Sequence, residues 1–491
     1  MPSTRTRSKF NTLSCVADSR GYTPALKELS DALQTDDGMR LLQAAYIANM
    51  SNKSERYKTM IHRAQEDVTR EERLIDEKMP DLKRKAEATP HDNWAIFETV
   101  SRKYIEARDN LAAFEVIQRD AQDNVVKLND DVAVRELRDE LVLALEALTN
   151  FSAQAAIVDA AVGIVSQFVK NPSLVRTKFL NFVLVGAAGT GKTTLVHAIA
   201  RVFAKAGIFV YNRVREAGRA DLVGEYEGQT VARTRAFLLA SLECTIFIDE
   251  AYALTTWSNG KPECYGSEAT TALLHHMTKY KGCYALFVAG YEKEMLRYFL
   301  PVNPGLQRRF PFRFKLNNLT SDELTTVFQR SLLLELGAEL PEGRQAQLAS
   351  VGFFTSQAWA WLKNLISAAT SGENVMMAEW EFDEATRTSY PPERIFRPLY
   401  PYMFELFKNQ AGSMTNLAEE AASVLARSVS FASASTQARR RRRSGWTLEI
   451  EMQDVEIMRR VIQSRINHTA MSQTDTFFAE LEHIESRFAF P

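Results

Sequence analysis

One eight-residue stretch, Gly186-Ala187-Ala188-Gly189-Thr190-Gly191-Lys192-Thr193, restricts the fold more than any other part of the chain. It fits the pattern G-x-x-x-x-G-K-[ST], in which a glycine-rich turn wraps backbone N–H groups around phosphate oxygens. The pattern has this meaning only between a strand and a helix, and both neighbours suit it. Leu180–Val185 is a short apolar run that predicts a buried strand. Thr194 opens a helical pattern that runs to Ala206, so the loop leads into a helix N-terminus and its positive dipole end. In that setting Lys192 neutralises the β and γ phosphates, and the Thr193 hydroxyl holds Mg2+.

Four further runs predict strands: Ile208–Tyr211, Thr245–Ile248, Tyr284–Ala289 and Phe312–Lys315. Helical patterns separate them, which argues for an α/β fold with a mainly parallel sheet and helices on both faces. Thr245–Ile248 ends on Asp249 and Glu250. An acid at a strand end reaches Mg2+, and a second acid orients and polarises an attacking water. The doublet favours hydrolysis over nucleotide binding alone.

The flanking regions read differently. Residues 1–150 hold only two glycines, Gly21 and Gly38, too few for sheets and tight turns. Residues 51–90 carry 19 charged residues of mixed sign, the surface of a solvated helix. After a break at Pro90, Trp94, Phe97, Val100, Tyr104, Leu111, Phe114, Ile117, Ala121, Val125 and Leu128 mark one apolar face of a long helix. Val132–Leu148 predicts another. Residues 20–150 therefore read as an all-α hairpin or small bundle, either a partner-docking arm or a packing domain. Thr320-Ser321-Asp322-Glu323 opens a second helical region, with Ser321 or Thr320 as cap. Residues 372–408 are aromatic and carry Pro391, Pro392, Pro398 and Pro401.

Charge and cysteine content exclude several classes. Lys plus Arg total 60 against 61 Asp plus Glu, so bulk charge does not hold this chain on nucleic acid or membrane. No uninterrupted apolar run reaches about 18 residues, so no transmembrane segment is expected. Four scattered cysteines give neither a disulfide framework nor a zinc site. A reducing, cytoplasmic setting is the expectation. Met1–Val16, with Arg5, Arg7, Lys9 and no acid, fits an organellar transit peptide and also a frayed basic tail.

From about 150 to 330 the residues resemble a known group, the AAA+ ATPases of the red-type rubisco activase and stage V sporulation protein K type. The matching runs are Asp221-Leu-Val-Gly-Glu-Tyr226-Glu227-Gly228-Gln-Thr230, Phe247-Ile-Asp249-Glu250-Ala-Tyr252, Tyr265-Gly266-Ser-Glu268-Ala269, Ala289-Gly290-Tyr291 and Asn303-Pro304-Gly305. The nucleotidase components of type VII secretion share these motifs, but residues 1–150 do not resemble their tetratricopeptide-like arm. The resemblance implies an α/β P-loop AAA+ core that binds ATP and Mg2+, an α-helical lid and an all-α N-terminal domain. The implied layout is a tail at 1–19, a helical domain at 20–150 and an ATPase domain at 151–317. A lid at 318–428 follows, interrupted by 372–408, then a Ser/Arg-rich loop at 429–445 and C-terminal helices at 446–491.

The resemblance also assigns roles. It implies a homo-oligomeric ring, a hexamer, with ATP at subunit interfaces. Arg308 or Arg309 would enter the neighbour's site as an arginine finger, Arg309 being the position that matches the group's final arginine. Tyr226 would grip a protein client from a pore loop bounded by Glu227 and Gly228, although the group usually has an aliphatic residue where Glu227 stands. Tyr291 takes the polar sensor position after the fourth strand. The lid's second sensor run is matched only by Asn409 to Leu417, where both arginines are replaced.

Three functions compete on this reading: a ring ATPase that remodels a protein client, rubisco included; a nucleotide-gated scaffold whose partner binds 20–150; and a nucleic-acid motor using Arg439 to Arg443. The near-zero net charge counts against the last. Three further residues read as structural. His275-His276 makes a poor metal pair, because helix neighbours point about 100° apart. His197 is expected to pack, and Cys244 and Cys283 are expected to be core thiols.

Overall fold

Leu180–Val185 is apolar without alternation, the pattern of a strand covered on both faces, and all six residues are buried inside a five-stranded parallel sheet. This is seen in a computed structural model, which describes residues 17–18, 21–86, 90–224, 226, 228–255, 257–258, 261–262, 264–335 and 411–429. Helices α1 (Pro24–Leu33), α2 (Asp36–Ala86), α3 (Pro90–Lys127) and α4 (Asp131–Ala147) come first. A 3-10 segment (Leu148–Gln154), α5 (Ala155–Lys170) and α6 (Pro172–Arg176) lead into β1 (Leu180–Val185) and α7 (Lys192–Lys205). Then follow β2 (Val214–Ala217), α8 (Arg219–Leu222), α9 (Gln229–Leu239), β3 (Thr245–Ile248) and a 3-10 turn, Ala251–Thr255. A small hairpin of β4 (Trp257–Ser258) and β5 (Lys261–Pro262) precedes α10 (Cys264–Lys279), β6 (Ala285–Gly290) and α11 (Glu292–Glu294). The described chain continues with α12 (Pro304–Arg309), β7 (Phe312–Lys315), α13 (Ser321–Glu335) and a lid helix, Ala411–Val429.

The strand order is β2-β3-β6-β1-β7, with every pairing parallel. Alternate residues of β1 feed two cores. Phe182 and Leu184 point to one face with α1, α4, α5 and α7; Val183 and Val185 point to the other with α9 and α10. Phe182 stacks on Phe287 of β6 and Phe312 of β7, at centroid distances of 4.3 and 4.7 Å, an aromatic ladder that pins the register of three strands.

The second strand is not where the apolar run predicted it. Ile208–Tyr211 is not a strand, and β2 lies at Val214–Ala217. Gly207 (φ +83°) ends α7 in a Schellman turn: Gly207 N–H donates to Ala204 O and Ile208 N–H to Phe203 O. Ile208 and Phe209 are apolar because they plug the core beneath that turn. β2 is an edge strand, so of its four residues only Ala217 is buried, and Arg215 and Glu216 make it read as charged.

The amino-terminal helices do not stand apart from the sheet. Leu26, Leu29, Leu33, Leu42, Leu141 and Leu145 share a core with Phe182 and Phe203. On the other side Tyr57, Phe114 and Ile117, from the α2–α3 hairpin, join Tyr280, Cys283 and Tyr284. Asp131–Lys170 contains an 18-residue window of mean hydropathy 1.5, long and apolar enough to cross a membrane by composition although its apolar residues are interrupted by polar ones. The Leu148–Gln154 segment breaks this stretch, and Ile157, Val158, Val162 and Phe168 are spent on the core. α13 packs against Ala411–Val429, and Phe328, Leu332, Met414 and Ala418 of these two helices are buried. Thr320 and Glu323 cap α13 reciprocally: Glu323 N–H donates to Thr320 Oγ1, and Thr320 N–H to Glu323 Oε2. The expectations for residues 1–16, 227, 372–408 and 430–491 lie outside the described residues.

Candidate active site

Register brings the motif residues to one edge of the sheet. Val185 pairs with Gly290, so Gly186 and Tyr291 leave the sheet at one level, and Ile248 pairs with Val288, so Asp249 follows β3 on the same edge two residues short of that level. This is the carboxyl edge of a parallel sheet, where such folds bind ligands. Gly189 and Gly191 adopt φ +70° and +78°, conformations costly for any side chain with a Cβ. Gly191 caps α7, and no atom lies within 4 Å of where its Cβ would be, so the helix start is open. Gly186 is confined: a Cβ there would come within 3.1 Å of Thr190 Oγ1 and 3.2 Å of Leu316 Cβ. Thr190 is buried and donates to Ala187 O at 3.0 Å. Ala187 and Thr194 are exposed; Ala188 and Thr193 are half-buried.

Lys192 is buried, and its ammonium donates to Ala187 O at 2.9 Å and Gly186 O at 3.3 Å. Burial lowers its pKa, while the charges of Asp249 and Glu250 oppose that shift. Lys192 Nζ also lies 5.9 Å from the centre of the Tyr291 ring. Asp249 is exposed and accepts the Glu250 N–H at 2.9 Å. Glu250 sits at φ +48°, one of two non-glycine residues with positive φ among the described residues. Its Oε2 is buried without a hydrogen-bond partner.

Sequence reasoning quoted Tyr252 but gave it no role. It lies in the Ala251–Thr255 turn, beside both Glu250 and Tyr291. The available signal was an aromatic residue two places after the acid doublet. Arg219 was also missed; it donates to Ala253 O and Leu254 O and fastens this turn from α8.

The remaining assigned residues lie on other elements. Arg309 is committed within its own subunit: its guanidinium donates to Thr278 Oγ1 at 2.9 and 3.0 Å and to Gly305 O at 3.1 Å. Arg308, beside it on α12, is exposed. Tyr226 is 68% exposed, and Gly228 (φ +82°) caps α9 just after it. The lid helix meets the phosphate loop through Ala411 N–H to Gly189 O, 3.1 Å. Thr415, within the Asn409–Leu417 run that lacks both sensor arginines, donates its hydroxyl back to Ala411 O of its own helix.

The readings of His197, His276, Cys244 and Cys283 meet different outcomes. His197 is exposed and pairs with Glu216 at 2.8 Å, so it is a surface link between α7 and β2 rather than packing. Cys244 and Cys283 are buried free thiols; burial pushes Cys244 up to about 11 and Cys283 above its ordinary value. His276 is buried against Tyr280 and Tyr284.

Residues 182–314 match the family model described as ATPase family associated with various cellular activities (AAA). This part of the chain is an AAA domain. Stage V sporulation protein K of Bacillus subtilis (strain 168) is 38% identical over 153 residues, 31% of this chain and 46% of that protein. ESX-1 secretion system protein EccA1 of Mycolicibacterium smegmatis is 34% identical over 147 residues, 30% of this chain and 25% of that protein. The chain thus spans less than half of either relative. A crystal structure of the FIGL-1 AAA domain in complex with ADP aligns over 65% of this chain and 87% of its own, at 16% identity and TM-score 0.34. The matched residues span both the Gly186–Thr193 loop and the Asp249-Glu250 doublet.

Proposed function

We propose that this chain hydrolyses ATP, and that it does so as a homo-oligomeric ring that remodels a protein client. The observation that carries the hydrolysis is the Glu250 carboxylate. Its Oε2 is removed from water and left without a partner, close enough to Lys192 for its charge to act on the ammonium. A bare carboxylate oxygen beside a phosphate-binding lysine is suited to accept a proton from an attacking water. A triphosphate fits the loop: Gly189 and Gly191 hold positive φ, the start of α7 is open, and the Lys192 ammonium bonds to carbonyl oxygens of its own loop. The Thr193 hydroxyl and the Asp249 carboxylate are hard oxygen donors suited to Mg2+. When bound, Mg2+ supplies charge neutralisation at the phosphate oxygens. Two features support assembly and client handling. Arg308 is an exposed cation at the end of α12, available to a neighbouring subunit, and Tyr226 presents an aromatic ring to solvent.

The test is Glu250→Gln in the full chain. The variant keeps ATP affinity but loses turnover by about 10²–10⁴-fold, the usual contribution of a general base. The trapped complex then serves as bait for the client. If wild type binds ATP without turnover and Glu250→Gln behaves identically, the hydrolase reading fails and the chain is a nucleotide-gated scaffold.

A further inference from the structure

In a motor that pulls on a client, events at the hydrolytic base have to reach the part that touches the client. Glu250 and Tyr226 belong to different loops, yet a chain of hydrogen bonds joins them. Glu250 opens a tight turn, which Ala253 N–H closes by donating to Glu250 O at 2.7 Å. Two successive carbonyls of that turn, Ala253 O and Leu254 O, accept from Nη1 of the Arg219 guanidinium at 2.9 and 3.2 Å. Arg219 begins α8, and its own carbonyl accepts Val223 N–H at 2.8 Å. The chain then runs through buried Leu222, Val223 and Gly224 toward exposed Tyr226. That run is fixed to the start of α9, on the far side of Tyr226. The buried Thr234 hydroxyl donates to Leu222 O at 2.8 Å, and Gly224 N–H donates to the buried Thr230 hydroxyl at 3.1 Å. Gly224 is pressed so closely that a Cβ there would stand 2.6 Å from Gln229 Cβ. Tyr226 therefore stands on a base of α8 and α9 held as one piece, and Arg219 fastens this piece to the turn that carries Glu250.

From these bonds we infer that Arg219 is the positioning residue that couples the Tyr226 loop to Glu250. Other contacts set the turn's place in the domain. Gly266 of α10 lies against it, where a Cβ would stand 2.0 Å from Leu254 O, and Thr255 Oγ1 donates to Tyr298 O at 2.8 Å. Arg219 adds the link to α8. A guanidinium suits that link, because it is planar, always charged and carries its donors in a rigid fork. A shift of α8 is thus passed to two backbone carbonyls instead of being absorbed by a soft contact. The turn has little slack, since Glu250 already sits at φ +48°, a costly conformation for a residue with a Cβ. Movement of Ala253 and Leu254 therefore reaches Glu250, and movement of Glu250 reaches Tyr226, because coupling between two sites is reciprocal. The inference rests on the hydrolase reading of this site and adds to it the residue through which the base and the exposed ring communicate.

The experiment reads the link from both ends in the full-length chain. At the Glu250 end, Arg219→Met lowers kcat about tenfold or more, as loss of orientation does. Its KM, and the Kd of a fluorescent ADP analogue, stay within about twofold. At the Tyr226 end, an environment-sensitive dye is attached through Tyr226→Cys in a chain that also carries Cys15→Ser and Cys264→Ser; Cys244 and Cys283 are buried and stay. With Arg219 present, dye emission differs between the protein bound to a slowly hydrolysed ATP analogue and the protein bound to ADP. In Arg219→Met that difference is lost while both nucleotides still bind, a result that a merely structural role does not produce. Arg219→Lys, with one ammonium in place of the fork, loses less of both signals, and it stands in for Arg219→Met if that variant does not fold. A dye difference of full size in a folded Arg219 variant overturns the proposal, as does an unchanged kcat. So does a chain with Arg219 intact whose dye does not distinguish the two nucleotides. A wild type that binds ATP without turnover overturns the hydrolase reading itself. The dye signal depends on binding alone, so that result is separate from an active wild type whose dye ignores Arg219.

Discussion

His276 shows what burial does to a single titratable side chain. It sits on α10 with its ring 4.4 Å from the Tyr280 ring, and its Nδ1 is 3.2 Å from the Tyr284 hydroxyl. Burial, then the charges of Lys279, His275 and Arg235, push its pKa down to about 3. An unfolded histidine titrates near 6.5. Between those values the unfolded chain holds a proton that the folded chain refuses. Stability is therefore complete above about pH 6.5 and falls as pH drops toward 3, by up to ~1.4 kcal/mol per pH unit for this one group. Melting temperatures of wild type and His276→Gln, compared between about pH 4 and 7, test it: the variant's acid decline is shallower. Parallel curves would mean that His276 is protonated in the folded state.

Among the elements, the α2–α3 hairpin has the most specific attachment. Glu243 precedes β3 at φ +59° and is fully buried. Its backbone N–H donates to Cys283 O and its carbonyl accepts Tyr211 N–H. Its carboxylate is ion-paired with Lys53 and accepts the Tyr57 hydroxyl at 2.9 Å, both from α2. Asn49, a turn earlier, donates to Gly207 O at 2.7 Å. The hairpin thus reads the base of the sheet through polar bonds that exist only when docked. Lys53→Met strands the Glu243 charge in the interior and costs about 3–5 kcal/mol in urea unfolding. Lys53→Met with Glu243→Gln recovers part of that loss, and a single variant as stable as wild type refutes the account. These contacts were not legible in the sequence. Lys53 and Glu243 stand among many charged residues, and nothing local marks one pair as buried. The helices themselves were legible, since α3 and α4 follow from the spacing of their apolar residues. β2 was not, because this edge strand buries only one of its four residues and lacks the apolar run that betrays β1.

At the scale of the whole molecule, the phosphate loop and acid doublet were legible because backbone geometry forces particular residue types there. Which side chains leave the subunit was not, because sequence cannot tell a committed arginine from a free one. Arg308 and Arg309 are adjacent and chemically identical, yet Arg309 spends its guanidinium on Thr278 and Gly305 while Arg308 is exposed. This geometry separates the two roles in the proposed ring. Arg309→Ala removes internal bonds and lowers stability by roughly 1–3 kcal/mol. Arg308→Ala leaves stability and nucleotide affinity intact but lowers kcat about 10³-fold or more, the value of an arginine supplied from a neighbour. The two possibilities for Arg308, acting in its own site or in the next one, are separated by mixing. Arg308→Ala has an intact site and no finger; Lys192→Ala has a finger and no site. Each is inactive alone. Combined under conditions where sedimentation shows joint assembly, they form interfaces with one intact site facing one intact Arg308, and activity returns at a fraction set by the mixing ratio. If mixed assemblies stay dead, Arg308 does not serve a neighbour's site, and the ring reading loses the residue on which it depends.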